Sequence, residues 1–353
     1  MLDSFTVGNF PWRMGARIVR TRVVTRLVAT LLLAGFVTVA TSAQQRQAPN
    51  VDIPPPPPEP VTEPPPPVEE PPPTVELSAN LVTIAVVARG ANGELVTDLT
   101  AADFAVYEDG KAQEVDQFFR QGEVPPLRLA LLFDSSLSVR TRLDFEKRAA
   151  SRFFSQAFRA GDQAALYSVA SSWTLLQPLT GSVGALVDAT DHIEAGGTTS
   201  LYGAIIAASH YLGESDGRRI LVLLTDGYDN AAKETLTQTL EVAQRHDIIM
   251  YGISPAGTGD SKSQVAKLGS AALNQLCEQT GGRAFFPAIE MSPEAEVQSL
   301  DSIYERIIAE LQAQYVLIYY SNDPAKDGRF RKLKVDVRRP GVSVSARKGY
   351  YAR

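Results

Sequence analysis

Three separate runs of apolar residues constrain the fold of this chain more than any other feature of its sequence. They are Leu127–Phe133, Ile220–Leu224 and Ile248–Ile253. Continuous apolar strands are required by a parallel sheet that helices cover on both faces. Stretches with a helical period, such as Phe145–Phe158 and Leu201–Leu212, lie between the runs. The alternation predicts an α/β fold with a doubly wound, mainly parallel sheet.

Polar motifs follow two of these runs, and a third motif precedes a helical stretch. Asp134-Ser135-Ser136-Leu137-Ser138 follows the first run, and Thr225-Asp226-Gly227 follows the second. Gly196-Gly197-Thr198-Thr199 precedes the helical stretch that begins at Leu201. Ligands of an open α/β sheet bind at the carboxyl ends of its strands. We therefore expect the three motifs to meet at that edge.

The motifs offer carboxylate and hydroxyl oxygens, which suit Mg²⁺, Mn²⁺ or Ca²⁺ better than copper or zinc. Two carboxylates balance the charge of a divalent ion. The ion would keep an open or water-filled position, which a carboxylate from a partner could fill. Serine, threonine and aspartate are also preferred helix N-caps, so capping is the alternative interpretation.

The three motifs, in this order, resemble the metal-ion-dependent adhesion site of von Willebrand factor type A domains. The resemblance covers about 127–312, and the arrangement of the whole chain resembles a group of related bacterial proteins common in Acidobacteria. It implies a Rossmann-like fold in which Ser136 and Ser138 bind the ion directly. By the same resemblance, Asp134 and Asp226 are ligands or hold the waters of the ion.

The threonine of this site has two candidates. Counting forward from the pair Gly196-Gly197 favours Thr198, whereas the helix register behind the motif favours Thr199, which we choose. The predicted ligands of Mg²⁺, with Mn²⁺ or Ca²⁺ as alternatives, are Asp134, Ser136, Ser138, Thr199 and Asp226.

Two further segments predict strands on either side of the α/β region. Residues 75–122 form a small β-rich unit, with a hairpin predicted between Phe104–Tyr107 and Val115–Phe119. Residues 313–353 return to strand patterns, which either extend the main sheet or pair with the first unit.

Several basic residues alternate with apolar ones in residues 313–353, and we interpret them as the solvated face of a strand rather than a site for an acidic partner. They are Arg329, Arg331, Lys332, Lys334, Arg338 and Arg339.

The first residues have the order of a secretory signal peptide, predicted over 1–43. Arginines precede the apolar run Leu27–Ala40, and Thr41-Ser42-Ala43 follows it. The run is shorter than the ~20 residues of a bilayer span, although an uncleaved membrane anchor is the alternative. Residues 44–74 are predicted to be a proline-rich disordered spacer, because proline prevents both helix and sheet.

Charge and composition limit the functions open to the chain. A net charge of −6 argues against nucleic-acid binding, and a single cysteine excludes an intrachain disulfide. We see no convincing base or nucleophile near the motifs, so we predict no enzymatic activity. The leading hypothesis is an exported binding or adhesion protein whose metal ion contacts an Asp or Glu of a protein partner. The alternative is a structural module of the cell envelope with a vestigial or purely stabilising metal site.

Overall fold

The computed structural model of the chain describes residues 81–255, 263–287, 293–323 and 325–352. These residues belong to one unit, Pro73–Arg353. The predicted signal peptide (1–43) and proline-rich spacer (44–74) lie outside the described residues. Within the described ranges, no helix has both the length and the apolar character needed to cross a bilayer.

The elements alternate between strand and helix in the middle of the chain and are mainly strands at both ends. The strands are β1 (Leu81–Arg89), β2 (Phe104–Glu108), β3 (Lys111–Gln113), β4 (Gln117–Phe119), β5 (Leu127–Asp134), β6 (Gln163–Val169), β7 (Trp173–Thr180), β8 (Arg218–Leu224), β9 (Ile249–Ile253), β10 (Arg283–Phe285), β11 (Tyr315–Tyr320), β12 (Phe330–Val337), β13 (Ser343–Ser345) and β14 (Gly349–Tyr351). The helices are α1 (Leu143–Ala157), α2 (Val183–Asp191), α3 (Leu201–Gly213), α4 (Leu236–Arg245), α5 (Gln264–Thr280) and α6 (Pro293–Gln312).

Among the described residues, six strands form a central sheet in the order β10-β9-β8-β5-β6-β7. Neighbouring strands are parallel, apart from the antiparallel pair of β6 and β7. The three apolar runs of the sequence are β5, β8 and β9, whose residues are buried except for Arg128, Arg218 and Arg219. The prediction of a doubly wound, mainly parallel α/β sheet is confirmed.

Helices cover both faces of the central sheet. On one face, Leu131 and Phe133 of β5 belong to a core that also includes residues of α1, α2 and α6. On the other face, Ala130 and Leu132 belong to a core with residues of α3, α4 and α5. Successive side chains of a strand point to opposite faces, so one strand contributes to both cores. This explains why the strand sequences lack polar alternation.

The two end segments form one β module. Its described strands make two four-stranded sheets, β13-β1-β11-β4 and β14-β12-β2-β3, which share an apolar core. β1 and β11 are antiparallel, with Leu81 opposite Tyr320 and Val86 opposite Tyr315. β2 pairs with β12 in the second sheet. The sequence left the placement of the C-terminal strands open, and the structure pairs them with the N-terminal strands.

The predicted hairpin between Phe104–Tyr107 and Val115–Phe119 is wrong in its second strand. β2 instead pairs with β3, Lys111–Gln113, across a turn at Asp109 and Gly110. Both turn residues have positive φ, 46° and 81°, as a type I′ hairpin turn requires. β4 pairs with β11, so the chain passes from one sheet of the β module to the other between β3 and β4.

A buried ionic network lies between the sheets of the β module. Glu108 is 3% exposed and accepts hydrogen bonds from the hydroxyls of Tyr319 (2.6 Å), Tyr350 (2.9 Å) and Ser321 (2.7 Å). Arg331 Nη1 lies 3.1 Å from Glu108 Oε1. Burial raises the pKa of Glu108, but the four hydrogen bonds outweigh it and hold the pKa below the ordinary value of 4.5. The interpretation of Arg331 as part of a solvated strand face is therefore wrong.

We expect Glu108→Gln to lower the free energy of unfolding by about 1–3 kcal/mol at pH 7, because it removes the buried charged acceptor of three hydroxyls and of Arg331. Arg331 keeps a second ionic partner, Asp323, whose Oδ2 lies 2.9 Å from Arg331 Nη1. The folded-state pKa of Glu108 is depressed, so its contribution is present above pH 4.5 and is lost as the pH falls through the folded-state value. Urea unfolding at pH 7 and at lower pH measures both effects. Glu123→Gln, in an exposed pair with Arg120, is the control and should leave stability unchanged. Equal stability of the two variants at pH 7 would contradict the prediction.

Candidate metal centre

The predicted site residues lie at the point where the connections of the central sheet change direction. From β5 the chain passes through α1 to β6 on one side, and later returns to β8 on the other side of β5. Asp134 is the last residue of β5, and Asp226 follows the end of β8 by two residues. Such a switch point leaves a crevice at the carboxyl ends of the two strands.

Backbone hydrogen bonds hold two of the three predicted motifs together. Leu137 N donates to Gly197 O at 3.1 Å, and Gly196 N donates to Ser135 O at 2.7 Å. These bonds fix the loop after β5 against the loop before α3. The two loops therefore occupy defined positions beside each other at the sheet edge.

The two serines of the first motif present their hydroxyls to each other. Ser136 Oγ lies 2.8 Å from Ser138 Oγ, across the start of a short 3₁₀ turn over Leu137–Val139. An octahedral Mg²⁺ with bonds of about 2.0–2.1 Å holds neighbouring oxygens roughly 2.9 Å apart. Ser136 is buried and Ser138 is exposed. The pair therefore has the spacing of two adjacent ligands and opens towards solvent on one side.

Asp134 is held rigidly behind these serines. Its Oδ1 accepts from Ser136 N at 2.9 Å, and its Oδ2 accepts from the Thr225 hydroxyl at 2.8 Å. Burial raises the pKa of Asp134, the two donors lower it, and the nearby charge of Asp226 raises it; the net direction is upward. A buried carboxylate under the influence of a second negative charge costs free energy, which a bound divalent cation would offset.

The structure distinguishes the two threonine candidates by their surroundings. Thr199 is 6% exposed, and its backbone is fixed by Asn230, whose Oδ1 accepts from Thr199 N at 2.8 Å and whose N donates to Thr199 O at 3.1 Å. Thr198 is exposed, and its hydroxyl lies 3.0 Å from Ser171 Oγ. The Thr198 hydroxyl thus has a partner in a neighbouring loop, which favours Thr199. The choice of Thr199 stays a prediction.

Three further residues position the site. The sequence predicts a turn or cap role for Asp229 and no positioning role for Thr225 or Ser135. Thr225, 1% exposed, donates to Asp134 and accepts from Gly227 N at 3.2 Å. Ser135 is fully buried, with its hydroxyl 2.7 Å from Ser168 Oγ on β6. Asp229 Oδ2 accepts from Tyr202 N at 2.7 Å and so caps α3 from another loop. The signal in each case is a small polar residue close in sequence to a predicted ligand.

Glycine is required where the loop after β8 meets α5. Gly227 has φ of +81°, and a Cβ at Gly227 would lie 2.3 Å from Gly269 O. A Cβ at Gly269 would in turn lie 2.6 Å from Asp226 O. The two backbones therefore approach more closely than side chains at either position would allow, and this fixes Asp226 at the edge.

No group of three or more His, Cys, Asp or Glu residues within the described part of the chain could hold a metal ion. The candidate centre differs from such groups because serine and threonine hydroxyls supply much of its donor set. Hard oxygen donors of this kind fit Mg²⁺ or Mn²⁺, so the residues present suit the ion that the sequence predicts.

Comparison with protein families decides the fold family. Residues 129–228 match the family model of the von Willebrand factor type A domain. The chain contains a von Willebrand factor type A domain. The match lies inside the predicted range 127–312 and includes both predicted aspartates, Asp134 and Asp226. The presence of this domain supports a role in protein interaction. Comparison with curated protein sequences gave no significant match.

Solved structures similar to the chain include three proteins from bacteria. A point mutant of the PilB minor pilin from Streptococcus sanguinis is 13% identical over 53% of this chain and 62% of its own, with a TM-score of 0.41. A von Willebrand factor type A protein from Catenulispora acidiphila is 12% identical over 71% and 72%, with a TM-score of 0.42. The pilus adhesin SpaC from Lactobacillus rhamnosus GG is 12% identical over 71% and 47%, with a TM-score of 0.41. At these identities and TM-scores, the functions of these proteins cannot be assigned to this chain.

We expect Thr225→Val to destabilise the von Willebrand factor type A domain by about 1–3 kcal/mol, because it removes the hydroxyl donor from buried Asp134. Thr225→Ser keeps the hydroxyl and is the matched control. Denaturant unfolding of the full chain measures the difference. If the valine variant is as stable as the serine variant, Thr225 does not position Asp134.

Proposed function

We propose that this protein is an exported, non-enzymatic binding protein that uses a divalent metal ion to bind an acidic residue of a protein partner. The observation that carries the proposal is the pair of hydroxyls on Ser136 and Ser138, 2.8 Å apart beside the carboxylate of Asp134. Export rests on the predicted signal peptide over 1–43. The family match to a domain with a role in protein interaction supports the proposed activity.

In the proposed mechanism, the ion would supply a Lewis-acidic position for a carboxylate oxygen. Ser136, Ser138 and Thr199 would hold it directly. The two aspartates would balance its double charge and either bind it or orient its waters. Since the serine and threonine hydroxyls are neutral, the ion would keep its attraction for one further carboxylate.

The surface beside the site suits a protein partner. Leu137, between the two serines, is 58% exposed, and Trp173 at the start of β7 is 44% exposed. Trp173 Cδ1 lies 3.8 Å from the position of a Cβ on Gly203, in the first turn of α3. These apolar side chains would contact residues next to the acidic group of the partner. Binding would then combine one charge-assisted contact with burial of apolar surface.

A metal titration of the full chain tests the site. An ion that binds only the folded state raises its stability by RT ln(1 + [L]/Kd), about 2.7 kcal/mol at one hundred times Kd. We expect Mg²⁺ and Mn²⁺ to raise the unfolding temperature of the wild type and of Thr198→Ala. We expect this rise to be lost in Thr199→Ala and Ser138→Ala, because each removes a ligand.

Mn²⁺ electron paramagnetic resonance provides a second readout, since it counts bound ions directly. A full response in Thr199→Ala and none in Thr198→Ala would reverse the assignment of the threonine. Absence of binding in the wild type would reject the metal centre.

The partner chemistry is tested with a displayed peptide library in the presence of Mn²⁺. We expect the immobilised full chain to enrich peptides that contain Asp or Glu next to apolar residues, with at least tenfold weaker capture after chelation. Ser138→Ala should lose the same enrichment. Enrichment that is equal in chelator, or that lacks acidic residues, would contradict the proposed recognition.

A structural role is the second candidate, and one observation favours it. The loops at the site are already held by protein hydrogen bonds, in which Thr225 is a donor and Asn230 and Asp229 are acceptors. A module of the cell envelope would need no more than this order. A partner interaction that is unchanged by chelator and by Ser138→Ala would favour this alternative.

A further inference from the structure

A cavity lies at the end of the central sheet opposite the candidate metal centre. Its volume is about 270 Å³. It is bounded by the amino ends of β8 and β9 and by β1 and β11 of the β module. In β1, Ile84 and Val86 pack in the core of the β module, whereas Thr83 and Ala85 line the cavity. The cavity is therefore formed where the two parts of the fold meet, a common location for small-molecule sites.

The walls of the cavity combine apolar surface with an excess of positive charge. Ala85, Ile249, Val316 and Ile318 contribute apolar side chains. The charged residues that line it, within the described part of the chain, are Arg218, Arg219, Arg347 and Asp247. Three cations and one anion leave a formal charge of +2 around a partly enclosed volume. Such a volume favours an anion.

Two of the three arginines donate to neutral groups in the contacts that fix them. Arg218 donates to the carbonyls of Pro125 (2.9 Å) and Leu311 (2.7 Å), and to Gln314 Oε1 at 2.6 Å. Neutral acceptors position a guanidinium without cancelling its charge. Burial lowers the pKa of Arg218, and the charge of Asp162, which does not line the cavity, partly opposes this effect.

Arg219 is held in the same way. It donates to the carbonyls of Ser215 and His246, at 2.8–3.0 Å. These contacts join the loop before β8 to the end of α4. Neutral acceptors therefore hold Arg219 at the cavity wall as well.

Arg347 is the third arginine, and its hydrogen bonding is incomplete. Its side chain is 10% exposed; one Nη donates to Asp247 and the other to the carbonyl of Thr83 at 2.7 Å. Its Nε is buried and makes no hydrogen bond to the described residues. The Arg347 guanidinium therefore lines the cavity with one carboxylate partner and one carbonyl partner.

We propose that this cavity binds a small organic anion, namely a monocarboxylate with a short aliphatic body. The carboxylate would lie among the three arginines, and the aliphatic part would pack on Ile249, Val316 and Ile318. Guanidinium groups match a carboxylate in geometry as well as charge. At about 270 Å³ the cavity is slightly smaller than the usual range for drug-sized ligands, which selects a short chain.

Removing the charge of Asp247 is expected to tighten binding of the anion, and this tests the proposal. Asp247 is the carboxylate that now pairs with Arg347, so it competes with the ligand. It adopts φ of +56°, a conformation that asparagine also tolerates. Asp247→Asn therefore removes the competing charge while keeping the shape of the turn.

Calorimetric titration of the full chain with hexanoate tests the inference, in chelator so that the metal centre is silent. We expect saturable binding of hexanoate by the wild type, and no binding of the neutral isostere hexanamide. We expect Asp247→Asn to bind hexanoate about tenfold more tightly. Ala85→Leu narrows the cavity and should weaken binding at least tenfold, with its thermal unfolding measured as a check on folding.

The contrary results are equally definite. Failure of the wild type and of Asp247→Asn to bind hexanoate would overturn the proposal. So would unchanged or weaker binding by Asp247→Asn. Inorganic phosphate that binds as tightly as hexanoate would show recognition of charge alone and would overturn the aliphatic part. The outcome is independent of the proposed metal centre, because the titration contains chelator.

Discussion

The architecture depends on one pairing, that of β4 with β11. These strands lie side by side, with Val316 opposite Phe119 and Ile318 opposite Gln117. β4 precedes the von Willebrand factor type A domain and β11 follows it, so both ends of the domain are fixed at the same sheet of the β module. The long segment between them is thereby closed into a loop that starts and ends at one place. The carboxyl edge of the central sheet, at the opposite end of its strands, is left for the candidate metal centre.

At the carboxyl edge of the central sheet, the burial and orientation of the Asp134 carboxylate are what favour a bound cation. Asp134 is 2% exposed, and its pKa is raised mainly by burial and further by the charge of Asp226. Hydrogen bonds from Thr225 and from Ser136 N keep the buried carboxylate in a fixed orientation. A buried carboxylate, held beside two hydroxyls and under the influence of a second carboxylate, is a poor arrangement for a protein core, because burial favours the neutral form. It is a suitable arrangement for a divalent cation.

The sequence was sufficient to predict the central sheet because its signal is local. Each run of apolar residues shows burial on both faces without reference to any other part of the chain. The errors occur where a partner is distant in sequence. β4 has only three residues, and its partner β11 begins almost two hundred residues later, so the pattern near Val115–Phe119 suggested a neighbouring strand instead. Arg331 lies in a segment where basic and apolar residues alternate, as on an exposed strand, but its partner Glu108 lies on a strand 223 positions earlier.

The positioning residues of the site were missed for a similar reason. Asp229 and Asn230 are turn formers in sequence, and only their hydrogen bonds to Tyr202 and Thr199 show that they fix a different loop.

In a sheet with helices on both faces, polar sites can form at the amino ends and at the carboxyl ends of the strands. The two ends differ in this chain. β8 carries Arg218 and Arg219 at its amino end, and Asp226 follows its carboxyl end. The β module covers the amino edge and converts it into a partly enclosed, positively charged cavity. The carboxyl edge stays open, with Ser138 and Leu137 exposed. A partly enclosed cavity suits a small ligand and an open surface suits a protein. The attachment of the β module to one end of the sheet therefore determines which kind of ligand each end can accept.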